Sequence, residues 1–452
     1  MAEHSEQKLG SAPLGKLMLS LALPSLMAQL VNLLYNMVDR IYIGHIPGEG
    51  ALALTGLGIC NPILLIVAAF AQFVGAGGSP LAAIALGQGD RDKAERILGS
   101  GTTLLLIFSA LLTLGFYGFR KPILFAFGAS EATFPYADAY LSVYLLGTFF
   151  VLISLGLNAF ISCQGAARTA MLSVLLGAVT NIILDPIFIF GLNMGVKGAA
   201  LATVISQGFS ALWILCFLCS GRSAIRLRLA FLRPDRLIIQ RSAALGVSPF
   251  IMSSTECLIV IVYNTQLQRF GGDLHVGSMT ILLSAFSLFS CIVRGVAAGV
   301  QPIMSFNYGA GNHDRVTLCF KRSLFICVGI SAVGTLFSIC FPGALASLYT
   351  DDAALIALCR EALPIYLASL WIFGAQMVVQ QFFLALGQAG RSFFIAVLRK
   401  IILLTPMILL FPRFWGVMGI YVAEPISDFI SASTSLLVAW PLYKKLKNRS
   451  VD

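Results

Sequence analysis

A chain of 452 residues that is 58% hydrophobic and 11% charged, with a mean hydropathy of +0.89, has more apolar surface than a water-soluble fold can bury. It reads as an all-α polytopic membrane protein with no room for a soluble domain. The net charge of +10 is a topology signal by its placement, and we do not read nucleic-acid binding into it.

Apolar runs of about 20 residues with short polar breaks predict about twelve transmembrane helices. Their approximate bounds are 15–38, 52–75, 95–117, 138–160, 170–190, 197–220, 240–267, 276–300, 316–340, 361–383, 393–412 and 417–441. The first span is too long and too polar for a signal peptide, and no small-residue cleavage site follows it. Within it, Asn32, Asn36 and Asp39 fall at steps of four and three and share one helical face. A carboxylate facing lipid costs roughly 2.5–3.5 kcal/mol or more at the bilayer centre, so Asp39 should face protein or water. Two readings stand: an interfacial acid paired with Arg40, or an ion or proton site.

After the second span, Gly87-Gln-Gly-Asp90 matches the G-x-G-D of intramembrane aspartyl proteases, but it opens a charged loop and reads as a turn. The fifth span places Asn181 and Asp185 on one face at i,i+4. Cys216 and Cys219 form a C-x-x-C inside an apolar helix with no histidine nearby, and read as packing residues. In the seventh span Ser253, Glu256 and Tyr263 form a polar face, for which Arg294 of the eighth is a candidate partner. Gln376 and Gln380 share a face of the tenth span, suited either to a cavity or to interhelix hydrogen bonds. Glu424 and Asp428 share a face of the twelfth, beside Pro425.

Basic residues alternate between loops. Lys8 and Lys16 precede the first span, and Arg91, Lys93 and Arg96 follow the second. Arg222, Arg226, Arg228, Arg233 and Arg236 fill the longest internal loop, and Lys444, Lys445, Lys447 and Arg449 end the chain. The positive-inside rule then puts both termini in the cytoplasm, which requires an even number of spans.

The second half repeats the first. Gly87-Gln-Gly-Asp-Arg-Asp92 returns as Gly309-Ala-Gly-Asn-His-Asp314 (309 − 87 = 222), Arg168 as Arg391 (223), Gly195-Val-Lys-Gly198 as Gly416-Val-Met-Gly419 (221) and Tyr144 as Tyr366 (222). This predicts two pseudo-symmetric six-helix bundles of one orientation, related by an axis along the membrane normal. Residues 1–221 form the first bundle, 222–238 a cytoplasmic linker and 239–452 the second bundle. The copies differ where it matters: Pro24 aligns with Pro249, which sets Asn264 opposite Asp39, and Ile401–Pro406 has no acid to match Asp185. Both acids of that pair therefore lie in the first half. No H-E-x-x-H, G-x-S-x-G or P-loop occurs, so the chain is read as no enzyme and no ATPase, with no cofactor. Uphill transport would then be driven by an ion gradient.

Pro24…Asp39-Arg-Ile-Tyr-Ile-Gly44, Asn181-x-x-x-Asp185-Pro186 and Gly198-Ala-Ala-Leu-Ala-Thr203 resemble the MATE (multidrug and toxic compound extrusion) family, in its bacterial, drug-exporting, MepA-like branch. The resemblance covers essentially the whole chain. It implies a cation site at Asp39, Asn181, Asp185 and Thr203 that takes H⁺ or Na⁺, with Glu256 matching an acid that several bacterial members carry. Some members place an aspartate in the tenth span; Gln376 and Gln380 stand in that region here, so no second-half cation site is assigned. The implied function is a cation-coupled antiporter exporting lipophilic, cationic drugs by alternating access, a monomer in the bacterial inner membrane. The candidate substrate cavity comprises Asn32, Tyr35, Asn36, Glu256, Tyr263, Gln376 and Gln380. The rival is a flippase for a lipid-linked precursor, which would want an Arg- and Lys-rich cavity; Arg294 reads as the only clearly intramembrane basic residue, which argues against it.

Overall fold

In a hydrocarbon layer every backbone polar group needs an internal partner, so each apolar run must fold as a helix. The computed structural model describes residues 8–448, and among them no strand occurs. Twelve helical rods follow one another among these residues. In the first half they are α1 (Leu14–Gly44), α2 (Gly50–Gly87), α3 (Arg91–Gly118), the bent α4 (Phe134–Leu146 and Thr148–Cys163), α5 (Ala167–Gly191) and α6 (Val196–Cys219). In the second they are α7 (Arg236–Gly271), α8 (Asp273–Gly309), α9 (His313–Cys340), the bent α10 (Ala353–Tyr366 and Leu370–Ala385), α11 (Ala389–Trp415) and α12 (Val417–Asn448). Nine of the described rods are individually long and apolar enough to cross a membrane, and eleven are if each bent pair is one span; α12, with Glu424, Asp428 and several serines, is not among them. Each span read from the sequence falls on one rod. The rods run longer, most of all α2, whose Gly- and Pro-containing tail stays helical to Gly87.

The internal repeat is visible in the backbone. Gly89 (φ 78°) and Gly311 (φ 76°), Gly165 (85°) and Gly387 (69°), and Gly195 (55°) and Gly416 (57°) take the left-handed conformation at matching turns. The bends match too, 60° in α4 and 50° in α10; each copy also has a π-helical segment, at Ile187–Gly191 just after Pro186 and at Leu398–Leu404 just before Pro406. Two hydrophobic cores result, one from residues 43–225 and one mainly from residues 259–446. The first half of α1 does not follow its own copy: Leu14, Leu17, Met18, Leu21 and Ala22 pack into the second core.

The two lobes join at the end of the molecule that holds the start of α1, the linker and the end of α12, called here the basic end. Side chains are excluded there by close backbone approach. A Cβ on Gly87 would sit 2.0 Å from the Phe306 carbonyl oxygen, and one on Gly309 2.1 Å from that of Ile84, a reciprocal pair at the repeat offset (309 − 87 = 306 − 84 = 222). Gly246 meets the Phe73 carbonyl oxygen just as tightly (2.0 Å), and Gly295 and Gly299 meet the Cα atoms of Leu26 and Ala22 at 2.6 and 2.5 Å. Larger side chains at these positions would force the lobes apart. The linker is strapped to the first lobe: buried Glu95 accepts from the Arg226 amide (3.1 Å) and forms an ion pair with Arg228 (2.8 Å), and Gln164 Oε1 accepts from the amide of Ala224.

Candidate functional site

Inside the first lobe α1, α5 and α6 bring four polar side chains into an otherwise apolar core. Asp39 is 7% exposed, Thr203 3%, and Asn181 and Asp185 not at all. The helix period puts Asn181 and Asp185 in line, and Asn181 Nδ2 donates to Asp185 Oδ1 (3.3 Å) and to Thr203 Oγ1 (3.4 Å). Gly198 lets the start of α6 approach the π segment of α5, since a Cβ there would lie 2.7 Å from the Phe188 carbonyl carbon. That approach seats Thr203 against Asn181. Asp39 is close enough for its charge to act on Asp185. No ion pair joins Asp39 to Arg40 among the described residues. Arg40 is exposed and Asp39 turns inward.

Three buried oxygens in this pocket lack a hydrogen-bond partner: Asp39 Oδ1, Asn181 Oδ1 and Asp185 Oδ2. An orphaned buried polar atom costs about 1–3 kcal/mol, and more where a charge is involved. Carboxylate, amide and hydroxyl oxygens are the donor set of a hard cation, and protonation would answer the same deficit. Three tyrosines complete the surroundings: Tyr35, expected in the substrate cavity, and Tyr140 and Tyr144, neither of which was read as a site residue from the sequence. Tyr35 and Tyr140 bring their hydroxyls beside Thr203, and Tyr144 lies near Tyr35. Tyr144 was visible only as a repeat marker.

Between the lobes lies a polar chamber of about 230 Å³, lined among others by Gln29, Asn32, Gln72, Asn158, Gln301 and Gln381. Asn158 Oδ1, Gln301 Nε2 and Ser305 Oγ are buried there without partners. Asn32 also lines a recess of about 30 Å³ that includes Tyr35 and leads into the first lobe. Asn36 is exposed and donates to the Asn32 carbonyl (2.7 Å).

The second lobe corrects several expectations. Gln376 and Gln380 do not line the cavity: Gln376 donates to Ser431 (2.9 Å) and Gln380 to Ser248 (2.6 Å), inside the bundle. The residue one step on, Gln381, reaches the chamber, because one position turns a helical side chain through about 100°. Tyr263 is fully buried and donates to Glu424 (2.7 Å), so it too is absent from the cavity. Nor is Arg294 the only intramembrane basic residue. Arg399 and Lys400 lie in the middle of α11, both buried. Arg399 binds Asp428 (2.6 Å) and Glu424 (3.3 Å) and stacks over Phe373. Lys400, not Arg294, pairs with Glu256 (3.3 Å), whose side chain is half-exposed. Both basic residues were legible in Val397-Leu-Arg-Lys-Ile401, where the surrounding apolar run hid them.

This network occupies the position of the first lobe's pocket in the other copy. At the repeat offset Glu424 corresponds to Thr203 (424 − 203 = 221) and Tyr366 to Tyr144. Where the first lobe leaves carboxylate oxygens unpartnered, the second supplies a guanidinium.

Comparison with known proteins follows the same two halves. The MatE family model matches residues 24–187 and again 249–409. Multidrug export protein MepA of Staphylococcus aureus is 25% identical over 445 residues, covering 96% of this chain and 95% of that protein. MepA of Staphylococcus saprophyticus is 25% identical over 429 residues, at 95% and 94% coverage. Among solved structures, a MATE in the bent conformation superimposes with a TM-score of 0.92 at 24% identity, over 99% of both chains. An outward-facing multidrug resistance MATE family transporter of the MOP superfamily gives 0.90 over 98% of both. At that identity the structural likeness speaks for the fold. With the family model covering both repeats, the chain belongs to the MATE family of multi-pass membrane transporters and is not an enzyme.

Proposed function

We propose that the protein is a cation-coupled multidrug exporter, with Asp39, Asn181, Asp185 and Thr203 as the coupling site for H⁺ or Na⁺. The observation that carries this reading is the set of three unpartnered buried oxygens on Asp39, Asn181 and Asp185. Two carboxylates in a dry pocket cannot both stay ionised cheaply, so a bound proton or Na⁺ is the natural relief. Cation entry reshapes the first lobe, and Tyr35, through the recess it shares with Asn32, passes the change to the chamber that Asn32 borders. One charge moving down about 100 mV supplies about 2.3 kcal/mol, roughly a fifty-fold gradient of a neutral substrate. A monovalent cation exchanged one-for-one for H⁺ moves no net charge, and only the pH difference then drives it.

The chamber, at about 230 Å³, is below the roughly 300–1,000 Å³ of a drug-sized site. Glu256 is half-exposed and Arg294 exposed. Arg294 shares the face of Ala298, Gln301 and Ser305, at i+4, i+7 and i+11, which line the chamber. We assign Glu256 to the recognition of lipophilic cations. Glu256→Gln should weaken resistance to cationic dyes severalfold, about 1 kcal/mol, and leave ion coupling measurable. Equal loss for cationic and anionic dyes would remove Glu256 from cation recognition.

The flippase alternative would need free cations in the cavity; Arg399 and Lys400 are already committed to Asp428, Glu424 and Glu256. The lobes would be residues 1–221 and 239–452, working as a monomer in the inner membrane with the basic end in the cytoplasm. A test of orientation is a cysteine at Leu229, 87% exposed in the linker, in a background lacking the native cysteines. It should resist membrane-impermeant maleimide in intact cells and react after permeabilisation; labelling from outside would invert the topology. The coupling ion is read from drug uptake into everted vesicles with a proton or a Na⁺ gradient imposed separately. Uptake under neither gradient would refute coupling.

A further inference from the structure

A second concavity, unconnected with the chamber, opens on the outer surface where the lobes join. It is a groove of about 750 Å³ between α1 (Gly15 to Leu26) and α9 (Leu318 to Ile330), floored by Val296 and Val300 of α8. Its lining is apolar except at one end, where Lys321 and Arg322 stand. Leu19, Leu23 and Phe325 along it are 66%, 52% and 82% exposed, an exposure that suits hydrocarbon and not water.

We propose that this groove binds an anionic phospholipid, one acyl chain lying along it and the phosphate held by Lys321 and Arg322. Three observations select that occupant. The first is length: Gly15 to Leu26 is eleven helical steps, roughly 16 Å, matching one leaflet's share of a hydrocarbon core about 30 Å thick. The second is charge. Both residues are exposed and, among the described residues, neither is in an ion pair. Arg322 reaches across to the start of α1, its Nη1 3.6 Å from where a Cβ on Gly15 would lie, next to exposed Lys16. A basic pocket between membrane helices suits an anionic headgroup and repels a lipophilic cation, which sets the groove apart from the cargo path. The third is placement at the lobe junction. One wall is α1 and the other α9, and Gly295 and Gly299 of α8 press α1 at Leu26 and Ala22 just behind them. Separating the lobes at the basic end would pull the walls apart, so a lipid that needs both walls stabilises the joined arrangement by mass action.

The test uses the full-length protein purified in detergent, with retained lipid counted by native mass spectrometry and melting temperature measured in parallel. Phosphatidylglycerol and phosphatidylcholine of identical chains are titrated separately. Wild type should retain phosphatidylglycerol with roughly 30-fold higher affinity, the effect of two basic residues near a phosphate, and melt at higher temperature with it. Lys321→Gln/Arg322→Gln, both on the surface, should lose that preference, while Arg222→Gln/Lys445→Gln at the same end should keep it. Equal retention of the two lipids by wild type, or equal loss in the two double variants, would overturn the proposal in favour of general surface attraction. Stabilisation by inorganic phosphate to the same extent would overturn it in favour of a free-anion site.

Discussion

Asp39→Asn should abolish gradient-driven export while leaving the fold in place. Asparagine keeps the volume and the hydrogen-bonding capacity of the carboxylate but cannot take up or release a proton, and it holds Na⁺ more weakly. The pocket already contains Asn181 as an amide neighbour, so the substitution introduces no foreign chemistry. The expected loss is the whole of the coupled gradient, roughly fifty-fold for one charge across about 100 mV, with normal protein in the membrane. Asp185→Asn should behave alike. The double variant should be little worse than either single one, because the two acids act as one unit. Export at the wild-type level by Asp39→Asn, with the gradient intact, would dismiss the coupling site. Loss of the protein itself would instead make Asp39 a structural anchor of α1.

Much of this architecture is legible in the sequence because the bilayer permits so few alternatives. An apolar run near 20 residues long has to be a helix, and a repeat at 222 residues has to be a second bundle. Asp39 and Asp185 could be read for a related reason, Asn181 through the helix face it shares with Asp185, and Thr203 only through the resemblance to the MATE family. Acids are so costly in a span that each one marks a place where helices enclose it, and the structure draws these four together. Amides carry no such signal. Gln380 and Gln381 are adjacent and chemically identical, yet one is tied to Ser248 and Ser392 and the other lines the chamber. Only rotation about the helix axis separates them, and a low-moment apolar helix does not announce its rotation. Tyr263 was misplaced similarly, since its hydroxyl could serve a cavity or the buried Glu424. The lobe junction is hidden for a different reason. Gly87, Gly295, Gly299 and Gly309 look like ordinary small residues in membrane helices, and their role exists only once the opposing backbone is in place.

Arg399→Met should be the most destabilising of the substitutions considered. The guanidinium sits between Asp428 and Glu424, at 2.6 and 3.3 Å, with all three side chains at most 4% exposed. Removing one partner of a buried ion pair costs about 3–5 kcal/mol, because the remaining charge is stranded. The expected result is a lower melting temperature in detergent and a lower yield, at unchanged pH and salt. Two companion measurements separate a stranded charge from a mere packing loss. Arg399→Met/Glu424→Gln/Asp428→Asn removes the charges together and should recover most of the stability, as charge-free replacements of buried ion networks commonly do. The single variant should also gain more stability than wild type as pH is lowered, since neutralising a stranded carboxylate removes the unpaired charge. If Arg399→Met melts like wild type, the arginine is no resident counter-ion. The second lobe would then be open to an external cation, and the division between an ion-accepting first lobe and a self-neutralised second lobe would fall. If instead the triple variant stays as unstable as the single one, the loss lies in the stacking of Arg399 on Phe373, worth about 2 kcal/mol when desolvated, and not in the charge it neutralises.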